Sequence, residues 1–455
     1  MKYTLTFRDE TFDELGARVY ERPGLEGAAY VLCGVSHLHG EVRLQAREVV
    51  TVDDRDYLVR GPDRLSISSQ SYSQVAKRAA AEGTAVLFVH SHPGGRGLFS
   101  KQDDAEEPKL MDFFSSRAVD LPHGTLVLGA DPELSGRVWQ GPGWAPLERI
   151  RVLGGRFRFV FPASTGTADE IPLFFDRQVR SFGADVQRLL AQLHVGVIGV
   201  GGTGSATAEQ LCRLGVGEVS LFDGETFEPS NVSRVYGATA LDVERPKAEV
   251  IAAHLQRIGL GTKVHAFPSP ITVEGTAREL RACDVVFGCT DRQAPRGILV
   301  NLSLYYLIPV FDVGVKIDAP DGVIRSIDGR ITILWPGAAC LFCRGRISAD
   351  VVALESLSPG EQRLRADEGY APTLEGDEPA VISFTTAVAA RAVTEFLHRI
   401  TGFMGPESPS EFLMLFHHDS IRGTSQQPTS SCYCAQQGRW ARGDRRRFLD
   451  LSWGS

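Results

Sequence analysis

The stretch LHVGVIGVGGTGSATAEQLCRLGVGEVSLFDGE, residues 193–225, constrains the fold of this chain more than any other. An apolar run, a glycine cluster, a helix-period segment closed by Gly215 and a second apolar run read as strand, glycine turn, helix and strand. Two strands joined by a helical crossover lie parallel in one sheet. Gly199, Gly201, Gly202 and Gly204 let backbone N–H groups approach a phosphate at the positive end of the helix. Asp223 closes the second strand, where a carboxylate reaches ribose hydroxyls. By itself this pattern fits a nicotinamide-dependent oxidoreductase equally well.

The residues that follow narrow it. FDGETFEPSNVSR carries Asn231 and Arg234, RPKAEV opens a helix at Lys247, and FGCTD ends at Asp291. Two cations and an amide beside a nucleotide form a phosphate clamp, and a carboxylate at the C-terminal edge of a strand suits Mg²⁺. Hydride transfer requires no such cluster, whereas attack on an α-phosphate does. Taken singly, Lys247 and Arg234 also read as ordinary surface cations. In this order the set resembles the ThiF/MoeB and ubiquitin-activating superfamily. The resemblance rests on Gly199, Gly201, Gly204, Asp223, Asn231, Arg234, Lys247 and Asp291, with Glu225 where the family often has a second aspartate. It implies adenylation, with ATP and Mg²⁺, of the C-terminal carboxylate of a ubiquitin-like protein. FDRQVRSFG resembles the family's N-terminal R-Q motif, which makes Arg177 a candidate arginine finger reaching the other site of a homodimer.

A second constellation lies in HSHPGGRGLFSKQD, residues 90–103. AVLFVHSH reads as a strand, so His90 and His92, two apart, share a face. The glycine-rich PGGRGLF lets the chain turn back and bring up Asp103. Two imidazoles and one carboxylate suit a tetrahedral Zn²⁺ with its fourth position left to water. Glu26, at the start of an earlier apolar strand, offers a general base. Ser100 offers a hydrogen bond to an oxyanion. A lone pair of histidines at this spacing is more often a surface or core feature. Ser100 with Asp103 also suits a helix N-cap with an acid in the first turn, which would hold both side chains in place. The pattern H-S-H-P-x(6)-S-x-x-D resembles the JAMM motif of JAB/MPN metalloproteases, which cut peptide or isopeptide bonds after ubiquitin-like C termini. The resemblance implies that His90, His92 and Asp103 bind the catalytic zinc, that Glu26 is the base and that Ser100 stabilises the transition state. The family's glutamate stands seven residues before a strand-closing glycine. Here Glu26 stands eight before Gly34, and Gly27 occupies the expected place.

PGAACLFC and SCYC supply Cys340, Cys343, Cys432 and Cys434, four thiolates that would complete a structural tetrahedral zinc. The alternative is four free thiols. ThiF-like proteins commonly carry two C-x-x-C pairs here, and the second pair is one residue tighter. Ubiquitin-activating relatives also use a crossover-loop cysteine to form a thioester. Residues 344–378, where that loop is expected, contain no cysteine. Cys33, Cys212, Cys283 and Cys289 read as core thiols.

A 455-residue chain of net charge −8 carries ample core for two or three domains and no general basic face for nucleic acid. Its N terminus lacks an apolar core stretch, no run approaches membrane-spanning length, and the cysteines are sparse, so a reducing cytoplasm is expected. The expected fold class is α/β: a JAB/MPN α+β domain over 1–150, a linker over 151–172, and a Rossmann-like ThiF domain with a mainly parallel sheet over 173–455. The tail RWARGDRRRFLDLSWGS contains a basic cluster that is expected to be solvated. AVISFTTAVAARAVTEFLHRITG is expected as a core or dimer-interface helix. The expected function is bifunctional: zinc-dependent hydrolysis at the tail of a ubiquitin-like protein and adenylation of that tail, with a ubiquitin-conjugating-like enzyme as a further partner. The resemblance also implies a setting in bacterial conjugation or antiviral defence. Sulfur-carrier processing toward a thiocarboxylate, and a non-catalytic scaffold that grips a ubiquitin fold, stand as alternatives.

Overall fold

The computed structural model describes residues 1–130, 133–141, 143–162, 170–367 and 379–453. It divides into two units. The first comprises Met1–Ala168 with Tyr305–Leu307 and Gly438–Asp450; the second comprises the remainder.

The strands of the first unit are β1 (Lys2–Arg8), β2 (Ala28–Leu38), β3 (Glu41–Thr51), β4 (Tyr57–Arg60), β5 (Leu65–Ile67), β6 (Ala85–Ser91), β7 (Gly124–Leu128), β8 (Leu134–Gln140), β9 (Gly143–Leu153) and β10 (Phe157–Val160). Its helices are α1 (Asp9–Val19), α2 (Ser69–Glu82) and α3 (Lys101–Ser115). The main sheet runs β1-β3-β2-β6-β7-β8-β9-β10, and β1 also pairs with β9, so the sheet closes on itself. Strand β2 is buried on both faces. Ala29, Val31 and Cys33 enter a core with Leu5, Phe7 and Leu15, while Ala28, Tyr30 and Leu32 enter another with Val75, Met111 and Phe114. This is why AAYVLCG is apolar without alternation. Helix α2 starts at the Ser68 cap and stops at Gly83, whose φ of +59° suits a left-handed cap.

Two stretches of this unit differ from the sequence expectation. Residues 151–153 and 157–160, expected in the linker, are sheet: Ile150, Arg151 and Val152 lie beside Leu5, Thr6 and Phe7 of β1. Residues 163–169 of that linker lie outside the described residues. The basic cluster Arg445–Arg447 is exposed, as expected, but residues on either side of it are buried. Trp440, Ala441, Arg442, Phe448 and Leu449 are buried, Arg442 pairs with Asp450 at 2.6 Å, and Gly443 bridges to Val35. A Cβ on Gly34 would fall 2.1 Å from the Ala441 carbonyl, so only glycine admits the tail there. The apolar residues between the charges supply the burial that a count of arginines hides.

The second unit holds β11 (His194–Ile198), β12 (Glu218–Phe222), β13 (Lys263–Phe267), β14 (Val285–Gly288), β15 (Val310–Asp318), β16 (Ser326–Leu334), β17 (Glu411–Leu415) and β18 (Ser420–Thr424). Its helices are α4 (Asp176–Phe182), α5 (Ala184–Leu190), α6 (Gly202–Arg213), α7 (Lys247–Ile258), α8 (Glu274–Glu279), α9 (Gln293–Tyr306), α10 (Ala349–Glu355), α11 (Pro359–Asp367) and α12 (Ile382–Thr401). The sheet order is β13-β12-β11-β14-β15-β16-β17-β18; the first five strands are parallel and the last three antiparallel additions. The crossover from β11 through α6 to β12 is the one read from the glycine stretch. Helix α12 buries Val388, Ala389, Ala392 and Phe396 and packs along α6, which makes it core.

Candidate active sites

Strand register and one helix cap build the site of the first unit. Ala28 of β2 lies opposite His90 of β6, and the Ser91 N–H donates to the Gly27 carbonyl at 3.0 Å. Continued past the strand's start, that antiparallel register sets Glu26 against His92. Gly27 cannot carry a side chain, because a Cβ there would lie 2.3 Å from the Val19 carbonyl. Glu26 Oε1 accordingly lies 3.8 Å from His92 Nε2. Ser100 caps α3: its Oγ accepts from Asp103 N at 3.2 Å, and Asp103 Oδ2 accepts from Ser100 N at 2.6 Å. The cap and ligand readings therefore hold together. Asp103 lies 3.2 Å from His90 Nε2 and 3.8 Å from His92 Nε2.

The ligand atoms of His90, His92 and Asp103 all fall within 4.8 Å of one another. His90 is only 3% exposed, and its ring nitrogens make no well-formed hydrogen bond. A buried imidazole without partners is costly, and a metal ion at Nε2 removes that cost. The donor set fits Zn²⁺. Burial pushes the Glu26 carboxyl up to about 6. Burial acts the same way on Asp103, but His90 and the Ser100 donors outweigh it and hold that carboxyl near 2.

The site of the second unit is built from backbone. Gly199 has φ +77°, and a Cβ on Gly204 would fall 1.8 Å from the Gly199 carbonyl. Among the described residues, nothing lies within 4 Å of a Cβ on Gly201, which caps α6, so they leave open space over the helix N terminus. This cradle fits a nucleotide phosphate. Asp223, expected to face a ribose, spends its oxygens on the loop: Oδ2 accepts from Val200 N at 2.8 Å and Oδ1 from Glu225 N at 2.9 Å. Burial pushes its carboxyl up. Lys247 is buried at the start of α7, and its Nζ donates to Glu225 Oε2 at 2.6 Å, which holds Glu225 below the usual carboxylate range. The charges of Arg292 and Arg234 act on Glu225 in the same direction.

Arg292, directly after Asp291, is a further cation acting on Glu225 that the sequence reading did not single out. Asn231 is buried and caps its own turn, accepting from Glu228 N at 3.2 Å. Asp291 is exposed in the turn between β14 and α9. Arg177 is not brought to this cradle. It is exposed on α4, whose Gln178 donates to the Arg213 carbonyl at the C-terminal end of α6. The glycines lie at the other end of that 12-residue helix, about 18 Å away.

Cys340, Cys343, Cys432 and Cys434 converge, with Sγ–Sγ separations of 3.9, 3.7 and 3.5 Å for the pairs 340–343, 340–432 and 343–434. Zn–S bonds of about 2.3 Å give tetrahedral edges of about 3.8 Å, so the cluster fits zinc despite the tighter second pair. Cys33, Cys212 and Cys283 are buried. Cys289 faces Thr207 of α6, and burial pushes its thiol up to about 12. Residues 368–378 of the expected crossover loop lie outside the described residues. Among the described residues, no helix is long and apolar enough to cross a membrane.

An open glycine loop at a helix N terminus, on the carboxyl edge of five parallel strands, defines a Rossmann-like nucleotide-binding domain. The chain belongs to the ThiF family, which matches residues 175–434. Residues 8–140 match prokaryotic homologs of the JAB domain, so the chain is a fusion of the two types. It is 29% identical over 188 residues to the molybdopterin-synthase adenylyltransferase of Escherichia coli (strain K12), covering 40% of this chain and 70% of that protein. It is 31% identical over 171 residues to the sulfur carrier protein adenylyltransferase of Thermus thermophilus, covering 35% and 59%. It is 27% identical over 161 residues to the SAMP-activating enzyme E1 of Haloferax volcanii, covering 35% and 56%. The chain thus spans between 56% and 70% of the length of these relatives. A crystal structure of E. coli MccB with ATP is similar at TM-score 0.45 and 16% identity, over 58% of this chain and 74% of that one.

Proposed function

We propose that the chain is a bifunctional enzyme acting on the C-terminal tail of a ubiquitin-like protein. The observation that carries the reading is the presence, in one ThiF-family chain, of an open phosphate cradle and a separate His90–His92–Asp103 cluster with Glu26 beside it. In the second unit, the N–H groups around Gly199, Gly201, Gly202 and Gly204 hold the phosphates of ATP. Lys247 and Arg234 neutralise charge as the tail carboxylate attacks the α-phosphate and pyrophosphate leaves. Asp291 would hold Mg²⁺, and Asp223 holds the loop through the N–H groups of Val200 and Glu225. Arg177 would act only across a homodimer. In the first unit, His90, His92 and Asp103 would hold Zn²⁺, which supplies Lewis acidity toward a scissile carbonyl. Glu26 takes a proton from the water that attacks the carbonyl and returns it to the leaving amine as the C–N bond breaks. The Ser100 hydroxyl steadies the developing oxyanion. The four cysteines would hold a structural Zn²⁺, and a ubiquitin-conjugating-like enzyme is a further partner.

The test combines the full chain with a candidate ubiquitin-like protein and Mg-ATP. Tail-dependent pyrophosphate exchange is expected, together with chelator-sensitive cleavage of a peptide fused after the tail. Exchange without cleavage would remove the hydrolytic half, and neither activity would sink the reading. A second reading, sulfur-carrier activation, is favoured by the name of the Thermus thermophilus relative and by the cysteine-free stretch 344–378. Formation of a tail thiocarboxylate when a sulfide donor is added would select it.

A further inference from the structure

Helix α3 carries two carboxylates one turn apart, Asp103 and Glu107. Asp103 meets Nε2 of His90. Glu107 is 4% exposed, and its Oε2 accepts from Thr125 Oγ1 at 2.9 Å and from Arg137 Nε at 2.7 Å. Arg137, itself 2% exposed, also donates to Asp104 at 2.7 Å. Thr125 of β7 lies opposite Phe88 of β6 on one side and Arg137 of β8 on the other. His90 is two residues beyond Phe88, and their rings stack. Phe88, His90, Thr125 and Arg137 therefore share one sheet face, to which Glu107 hydrogen-bonds from α3.

Among the described residues, four buried polar atoms of this group make no well-formed hydrogen bond: Glu107 Oε1, both ring nitrogens of His90, and Arg137 Nη2, which still pairs with Glu107 Oε2 at 2.6 Å. With His90 Nε2 turned to Asp103 and Arg137 Nη2 to Glu107 Oε2, Glu107 Oε1 and His90 Nδ1 are left over. Burial pushes the Glu107 carboxyl up to about 7 against the pull of Arg137 and Thr125. A histidine that gives one ring nitrogen to a metal commonly donates from the other to a carboxylate, which sets tautomer and ring angle.

We propose that Glu107 is the positioning residue for His90: with Nε2 given to zinc, His90 carries its proton on Nδ1 and donates it toward Glu107 Oε1, directly or through one buried water. Arg137 and Thr125 hold the carboxylate in place for that task. The inference rests on the zinc reading of the His90–His92–Asp103 site.

The test is zinc affinity of that site in the full chain, measured by chelator competition, with His92→Ala as the blank that leaves only the cysteine cluster. Glu107→Leu/Arg137→Met removes the acceptor and its counter-charge together, and affinity is expected to fall about 10–100-fold. Arg137→Met alone leaves the carboxylate in the chain and still held by Thr125, and affinity is expected to fall by no more than about threefold, clearly less than in the double variant. Glu107→Gln keeps the shape with a weaker acceptor and is expected to lose about 3–10-fold, which carries the test if the double variant melts early. Wild-type affinity in both Glu107 variants overturns the proposal. So does a loss in Arg137→Met equal to that of the double variant, because Glu107 would then only anchor the helix. Absence of any His92-dependent zinc in the wild-type chain overturns the zinc reading itself.

Discussion

The two candidate sites of this chain are made of different material. The site of the first unit consists of side chains that arrive from three places: Glu26 ahead of β2, His90 and His92 from the end of β6, and Asp103 from the first turn of α3. The site of the second unit consists mainly of backbone, in one turn from Gly199 to Gly204, with side chains as buttresses. A site of side chains fails when atoms are taken away. A site of backbone fails when atoms are added. The first depends on register and capping; the second depends on the absence of Cβ atoms.

That contrast can be broken or sharpened by experiment. The largest effect is expected from Glu26→Gln, which removes a base and leaves three ligands. Hydrolysis should fall about 10²–10⁴-fold while zinc content and pyrophosphate exchange stay unchanged. Full hydrolysis would place the base elsewhere. Lys247→Ala comes next. It should lower tail-dependent exchange about 10²–10³-fold and spare hydrolysis; a parallel loss of both activities would break the separation of the sites.

Glu41 offers a smaller, pH-dependent effect. It sits where β1, β3 and β9 meet, accepting from Thr4 at 2.6 Å and Arg43 at 3.0 Å, with Arg151 at 3.6 Å. Burial would raise its carboxyl, but Arg43 and Arg151 outweigh burial and hold it near 2. A depressed carboxyl stabilises the fold above its unfolded value of about 4.3, and that contribution is lost as pH falls from there toward 2. In the first unit, Glu41→Gln should therefore remove up to about 3 kcal/mol at neutral pH and flatten acid unfolding between about pH 4 and 2. Acid melting that is identical in wild type and variant would deny the closing seam this role.

Gly204→Ala should cost about 1–3 kcal/mol by overpacking against the Gly199 carbonyl, and it should weaken ATP binding, read by melting and by nucleotide titration. Ser100→Ala should cost about 1 kcal/mol as a lost cap, measured by denaturant unfolding. No change there would show that the Asp103 side of the capping box suffices.

Legibility followed the same division. The glycine cradle could be read because its parts are contiguous, and the chemistry of a missing Cβ is written in the residue itself. Helix α2 could be read for a similar reason, since Ser68 and Gly83 cap it locally. The histidines and Asp103 were legible as a spaced pattern, and the structure places their ligand atoms together. Asp223 was legible as a residue but not in its contacts, because its partners, Val200 and Glu225, are chosen by how the loop folds over it. Arg292 offered only its place beside Asp291 and otherwise reads as a surface cation, and Glu107 reads as one acid in a run of acids. In the tail, the exposed Arg445–Arg447 were legible from charge, while the burial of Trp440, Phe448 and Leu449 was not, because charge dominates its composition.

The amino-acid order by itself determined the parallel crossover, the phosphate cradle and the identity of three metal-binding candidates, since each depends on spacings of a few residues and on local sterics. Tertiary structure alone decided that Glu26, and not the residue at position 27, faces His92, because strand register sets that choice and Gly27 is pressed against the Val19 carbonyl. It also decided that Cys340 and Cys343 meet Cys432 and Cys434 across about ninety residues, and that Arg177 stands at the far end of α6 from the glycines. Contacts at such separations depend on how whole sheets and helices pack, and no local pattern encodes them.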